Sequence, residues 1–358
     1  MTQWSFRYSR RQRYASFKTN GREHGRSRVR TDVRKICGGR MARLHKQIHD
    51  ALNDEALRRL KIINVNTVIE FLEQDDNKLE QVVKIEHRIV QQIKRNIIKN
   101  YAGKIENGED LLRLENNFVS TGIASLDDLL NGGLYPGELY ELCGLSSAGK
   151  TQLCHSIAIN VILETDGMVR YIDTKKDFSG SRIQMMLEAK KIGDEETARV
   201  MNQIKVIQVK NVNELFGVLY DMAKSEEKWA NEKSTKLVII DSLPSLILST
   251  LGKNTNSHRS LNQMAGVLRF LANEHQISVI TNNLVSKWQD IERFGAPIPV
   301  KPIRVKPYLG KYWEHAPNTR LHIEKMYNGE KRKISVWKSF ELKIGTSCIA
   351  ELTDAGFT

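Results

Sequence analysis

Apolar residues recur at three- and four-residue spacing in four short runs near the start of the chain, at 51–60, 65–72, 79–83 and 88–98. That period predicts helices. The polar breaks at 64–67 and 75–78 supply turn and N-cap residues between them. Four short helices in about fifty residues make a small core, suited to a docking or nucleic-acid-contact module. The run 79–93 has the outline of a helix-hairpin-helix, but its turn, Ile85-Glu86-His87, is acidic and lacks glycine. A structural or partner-binding role is therefore favoured over phosphate contact. Residues 101–117 are polar and glycine-bearing, as in a linker.

After Thr121 the pattern changes. Short β-type apolar runs at 139–143, 168–172, 204–209, 236–240 and 277–281 alternate with helical stretches at 151–163, 181–191, 212–224 and 259–274. Buried strands alternating with helices predict an α/β fold with a doubly wound, mainly parallel sheet. Ligands of such sheets sit at the carboxyl ends of the strands. Near the C-terminus, runs at 320–327 and 332–337 flank Asn328-Gly329, a hairpin signal, and a third strand at 346–352 follows. This antiparallel group is expected to extend one edge of the sheet.

The first parallel strand leads into Gly144, Leu145, Ser146, Ser147, Ala148, Gly149, Lys150, Thr151 and Gln152. This is the P-loop pattern, with the required strand before it and helix after it. Gly144 and Gly149 let the backbone curl so that N–H groups face phosphate oxygens. Lys150 is placed to neutralise β- and γ-phosphates, and the Thr151 hydroxyl to hold Mg²⁺. The helix adds its positive end. A second acidic element is expected at the end of another strand, and the run Leu237-Val238-Ile239-Ile240-Asp241 supplies it about ninety residues later. ATP and Mg²⁺ are the cofactors this pairing implies, with Lys150 and Asp241 as the reactive pair.

Composition refines the picture. The 358 residues, 40% hydrophobic and 27% charged, are those of a globular protein. No apolar run reaches membrane-spanning length; the longest, 237–251, is broken by Asp241 and Pro244. No signal-peptide core opens the chain, and four scattered cysteines lack zinc or disulfide spacing, which fits a reducing intracellular compartment. The net charge of +13 is concentrated in residues 1–40, which hold twelve Lys or Arg against Glu23 and Asp32. The remainder is nearly balanced, so the global charge describes a basic, disorder-type tail. A nucleic-acid-binding arm, a mitochondrial-type presequence and an upstream extension without defined function compete for it, and Met41, opening the first foldable segment, favours the last.

At this point the motifs carry a family resemblance. Thr121-Gly122, Leu126-Asp127, Leu129-Leu130, Gly132-Gly133-Leu134, Gly137-Glu138 and Glu141 resemble the approach to the P-loop in RecA-like strand-exchange recombinases. Gly149-Lys150-Thr151-Gln152-Leu153-Cys154-His155 is similar to the eukaryotic members almost letter for letter. Tyr171-Ile172-Asp173-Thr174, Asp241-Ser242, Thr281-Asn282 and Thr319-Arg320-Leu321 follow in the family's order. Residues 45–345 are covered, and the text around Gly133-Leu134-Tyr135 resembles the D-type branch of the recombinase paralogues. The resemblance implies a RecA-like P-loop NTPase core at 118–358, preceded by a small helical domain at 41–100.

Two departures stand out. The filament-forming members place a water-orienting glutamate after the Asp-Thr pair; here Lys175 stands there, followed by Lys176. A lysine ammonium cannot accept a proton at neutral pH, and Asp177 lies roughly 6 Å further along. The family's γ-phosphate-sensing glutamine is replaced by Asn283. ATP is therefore expected to bind well and turn over slowly.

The resemblance also places two DNA-facing loops, at 249–259 and 286–311. Lys253 and Arg259 lie in the first. The second mixes Lys287, Arg293, Lys301, Arg304 and Lys306 with Trp288 and other rings, the combination that binds single strands through phosphates and stacked bases. The resemblance implies a nuclear protein of homologous recombination and double-strand-break repair. It would bind single-stranded or branched DNA, join other recombinase paralogues in a hetero-oligomer and hydrolyse ATP weakly in a DNA-dependent manner. A non-hydrolysing, ATP-bound adaptor within a recombination-mediator complex stands as the alternative. No lid or acceptor site for a small-molecule kinase is legible.

Overall fold

The computed structural model describes residues 43–101, 107–109, 112, 117–224, 234–247, 256–288, 304–327 and 329–358. The basic tail, most of the expected linker, Lys253, Arg293, Lys301 and Asn328 lie outside the described residues. The chain divides into two compact units, one ending at Leu112 and one starting at Arg113.

In the first unit the helical periodicity gives α1 (Asp54–Ile62), α2 (Val68–Glu73), α3 (Asp76–Val83) and α4 (His87–Tyr101). Each of the first three begins where a side chain satisfies a free N–H. Asn53 accepts from Ala56 N, Asp75 accepts from Lys78 N, and Thr67 and Glu70 form a reciprocal capping box. Leu52, Leu60, Phe71, Leu79, Val90, Ile93 and Ile97 close a core of their own. α3 ends on Lys84 in the left-handed region (φ 61°). The His87 imidazole beyond it lies between the Asp76 and Glu80 carboxylates, at 3.9 and 3.7 Å.

The second unit is built on a sheet in the order β10-β9-β8-β7-β1-β5-β4-β2-β3, with β6 paired to β5. β1 (Leu139–Gly144), β2 (Met168–Asp173), β3 (Ile204–Gln208), β4 (Thr235–Asp241) and β5 (Ser278–Trp288) run parallel, as the alternation predicts. β7 (Thr319–Lys325) also runs parallel to β1, so the antiparallel edge begins only at its pairing with β8 (Lys331–Lys338). β9 (Ser347–Thr353) and β10 (Gly356–Phe357) complete that edge.

Helices cover both faces. α5 (Ala124–Leu129), α6 (Lys150–Glu164), α7 (Gly180–Ala189) and α8 (Asp194–Gln203) share one core with Tyr140, Leu142, Tyr171, Ile239 and Ile280 of the sheet. α6 is buried on nearly all sides, which explains why its sequence is apolar around the whole helix rather than along one stripe. α9 (Val212–Lys224), α10 (Leu243–Ile247) and α11 (Asn256–His275) follow on the chain, and α9 packs on α11.

Three features depart from the sequence reading. α8 lies in a stretch with no strong apolar run. It buries only Val200 and Gln203 and is helped by Asp194, Glu195 and Glu196 in its first turn, where the helix dipole favours negative charge. α5 and α12 (Lys311–Glu314) are too short to show a period. The third feature is a correction: 286–311 is not one loop. β5 continues to Trp288 and its last residues pair with β6 (Arg304–Pro307), Val285 opposite Pro307 and Trp288 opposite Arg304. Residues 286–288 and 304–307 of the segment are therefore set in a two-stranded ribbon, and Lys311 opens α12.

Candidate nucleotide site

The carboxyl edge of β1 turns at Gly144 because nothing larger fits there. A Cβ would stand 2.7 Å from the Ile323 carbonyl oxygen of β7, whose backbone runs alongside in the same sheet. Leu145, Ser146 and Ser147 are exposed, and Ser147 takes a left-handed turn (φ 61°). Gly149, at φ 106°, is the N-cap of α6, and no side chain caps the helix. The leading N–H groups of a fifteen-residue helix thus open onto the exposed loop. Lys150 Nζ donates to the Gly144 and Leu145 carbonyls at 2.9 and 2.8 Å, closing the loop on itself. From the other side Arg332 Nε of β8 donates to Ala148 O at 2.9 Å.

β4 lies beside β2, not beside β1, yet it delivers Asp241 to the start of α6. Thr151 Oγ1 donates to Asp241 Oδ2 at 2.6 Å, and the Tyr171 hydroxyl donates to the same oxygen at 2.9 Å. Asp241 is buried, so these bonds hold a carboxylate that water does not reach freely. Among the described residues no cluster of three His, Cys, Asp or Glu side chains forms. A hard cation here would be held by the Thr151 hydroxyl and the Asp241 carboxylate, the all-oxygen kind of donor that Mg²⁺ takes.

Burial holds the Lys150 ammonium below the usual lysine pKa; the Asp241 carboxylate opposes that shift and the positive charge of Lys175 adds to it. Burial likewise raises the Tyr171 hydroxyl well above the usual range, with the negative charge of Asp241 acting in the same direction. It therefore donates rather than ionises. His155, one turn along α6, is buried with no hydrogen bond to either ring nitrogen. Its ring packs on Tyr171 and Phe178, and desolvation lowers its pKa to about 4.

Lys175 is exposed, one residue past Thr174. Asp177 is exposed too, and its N–H is bound to Asp173 Oδ1 at 3.2 Å. Asn283 is buried: its Nδ2 donates to Glu141 Oε1 at 2.7 Å, and Glu141 also pairs with Arg320. The Asn283 amide nitrogen is thus committed to a buried ion pair between β1 and β7. Of the basic positions singled out above, Arg259 on α11 and Lys306 on β6 are exposed. Lys287, Trp288 and Arg304 are described by their backbone alone, on the β5–β6 ribbon.

A cleft of about 590 Å³ adjoins Gln152 and is lined by Arg182, Glu330, Leu352, Thr353 and Asp354. Arg182 Nε donates to Gln152 Oε1 at 2.9 Å, while its other nitrogens hold the Thr353 and Asp354 carbonyls, each at 3.0 Å. The sequence reading missed Tyr171, Arg182 and Arg332 as site residues. Tyr171 had a signal: it stands two positions before Asp173 and so shares that residue's face of β2. Arg182 reaches Gln152 across 30 residues and Arg332 reaches Ala148 across 184, and nothing in their local text announces it.

The family model described as Rad51 matches residues 113–358, more than half of the chain. Bovine (Bos taurus) DNA repair protein RAD51 homolog 4 is 27% identical over 315 residues, covering 85% of this chain and 93% of the bovine protein. The mouse (Mus musculus) protein of that name is 28% identical over 291 residues, covering 79% and 85%. DNA repair and recombination protein RadA of the archaeon Aeropyrum pernix is 28% identical over 240 residues, covering 65% and 70%. The P-loop joined to β4 through Thr151 and Asp241 lies inside the matched region, and the chain belongs to the Rad51 family.

Proposed function

We propose that this chain is an ATP-binding, DNA-binding recombinase paralogue that assists homologous recombination and double-strand-break repair in the nucleus, in a hetero-oligomer with other paralogues. The observation that carries the reading is the Thr151–Asp241 bond, which joins the head of α6 to the end of β4 at the mouth of an uncapped loop. Gly144 and Gly149 leave room for phosphate oxygens, the α6 N–H groups face them, and Lys150 exchanges its loop carbonyls for phosphate. Magnesium, when bound, would neutralise charge on the β- and γ-phosphates. Thr151 and Asp241 would hold it, with Tyr171 keeping the Asp241 carboxylate in place. The cleft beside Gln152 and Arg182 takes the nucleoside.

Residues 41–100 act as a helical docking module, 101–117 as its tether and 118–358 as the ATPase core, with 1–40 an extension. The β5–β6 ribbon, Lys306 and Arg259 provide the DNA-facing side. The adaptor reading keeps one specific support: the residue after Thr174 is a lysine, which cannot act as a base. Equilibrium binding of a fluorescent single-stranded oligonucleotide tests the reading. ATP with Mg²⁺ is expected to tighten binding in the wild type and to have no effect in Lys150→Ala. Absence of DNA binding in every nucleotide state, alone and with recombinase paralogues added, would overturn it.

A further inference from the structure

The turn after β2 is fixed more firmly than an exposed turn requires. Asp173 is buried, and its carboxylate accepts four consecutive backbone N–H groups. Lys175, Lys176 and Asp177 donate to Oδ1 at 3.1, 2.9 and 3.2 Å, and Phe178 donates to Oδ2 at 3.1 Å. Thr174 anchors the other side: its N–H donates to Asp241 O at 3.0 Å, and its Oγ1 accepts the Ser242 N–H at 2.7 Å. Asp173 and Asp241 are register partners on neighbouring parallel strands. The backbone of Lys175 is therefore bracketed between two fixed points on the carboxyl edge, beside the Thr151–Asp241 pair. Its side chain alone is free to move, and it is exposed. Its positive charge also acts on Lys150, adding to the burial that lowers that group's pKa.

A second cation beside the P-loop lysine has no carboxylate bound to it in the turn, since Asp173 is saturated by backbone donors. We propose that Lys175 is a resident ligand for the terminal phosphate of the bound nucleotide, so that this site selects nucleoside triphosphates over diphosphates. The inference rests on the nucleotide-site reading above. Because the backbone is already fixed, binding orders one flexible side chain and no loop, and the charge-assisted bond it forms is of the strong kind. The position that would activate water in a hydrolytic relative here holds the triphosphate.

Affinities of mant-ATP and mant-ADP, each with Mg²⁺, test this on the full chain with Lys175→Ala, Lys175→Arg, Lys175→Glu and Lys150→Ala. The side chain is exposed, and circular dichroism of each variant checks that it folds. Wild type and Lys175→Arg are expected to favour the triphosphate by about tenfold or more. Lys175→Ala should bring the two affinities together by weakening mant-ATP alone, and Lys175→Glu should invert the preference. If the ratio is unchanged in Lys175→Ala while Lys150→Ala abolishes binding, the inference falls and the nucleotide site stands. If the wild type binds neither nucleotide, both fall.

Discussion

His155 shows how one residue of the P-loop helix carries information that its neighbours do not. Its ring is sealed between Tyr171 and Phe178 with no hydrogen-bond partner, and its pKa falls from the ordinary 6.5 to about 4. Between those values the unfolded chain binds a proton that the folded chain refuses. Stability is therefore full above pH 6.5 and is lost as pH falls toward 4, by up to about 3 kcal/mol. Urea unfolding across that range should show this slope in the wild type and a flatter one in His155→Phe, which keeps the aromatic cluster without the proton. At this scale the sequence made the glycine loop and helix start readable because their spacing along the chain is local: Gly144 to Thr151 is one turn and one helix start. Asp241 was readable because it ends an apolar strand. Arg182 and Arg332 were not, because their contacts are made by long side chains across the fold.

The glycines of the loop belong to the scale of elements, since what constrains Gly144 is β7. Its Cβ would meet the Ile323 carbonyl at 2.7 Å, and backbone cannot move aside as a side chain tip can. Gly144→Ala is expected to cost about 1–3 kcal/mol and to weaken mant-ATP binding together with stability, read from unfolding midpoints and titrations. A change in neither would mean that β7 is not packed as described. The central parallel strands were legible because they are short apolar runs buried on both faces, as in β1 and β2. The β5–β6 ribbon was not. β6 is four residues of Arg304-Val305-Lys306-Pro307 with a proline in it, and only its pairing to β5 makes it a strand. α8 stayed hidden because its stretch is mostly polar: acidic residues open it and only Val200 and Gln203 are buried, too little apolar text to stand out.

At the scale of the whole molecule, two units each close their own core, and the switch from helical to alternating pattern after Thr121 marks the change between them. The second unit brings the glycine loop, Lys150, Thr151 and Asp241 together at one edge of its sheet. It leaves Lys175 exposed after Thr174, at the position where the resemblance to the filament-forming members expects a glutamate, and commits Asn283 to the buried Glu141–Arg320 pair. The account that follows is a site that holds ATP and cleaves it slowly. Phosphate release from the purified chain, with and without single-stranded DNA and beside a filament-forming recombinase in the same assay, tests this most directly. The turnover is expected to lie about a hundredfold below that of the filament protein, the size of one missing general base, and to rise with DNA while mant-ATP remains bound. A turnover equal to that of the filament protein, abolished by Lys150→Ala, would contradict it.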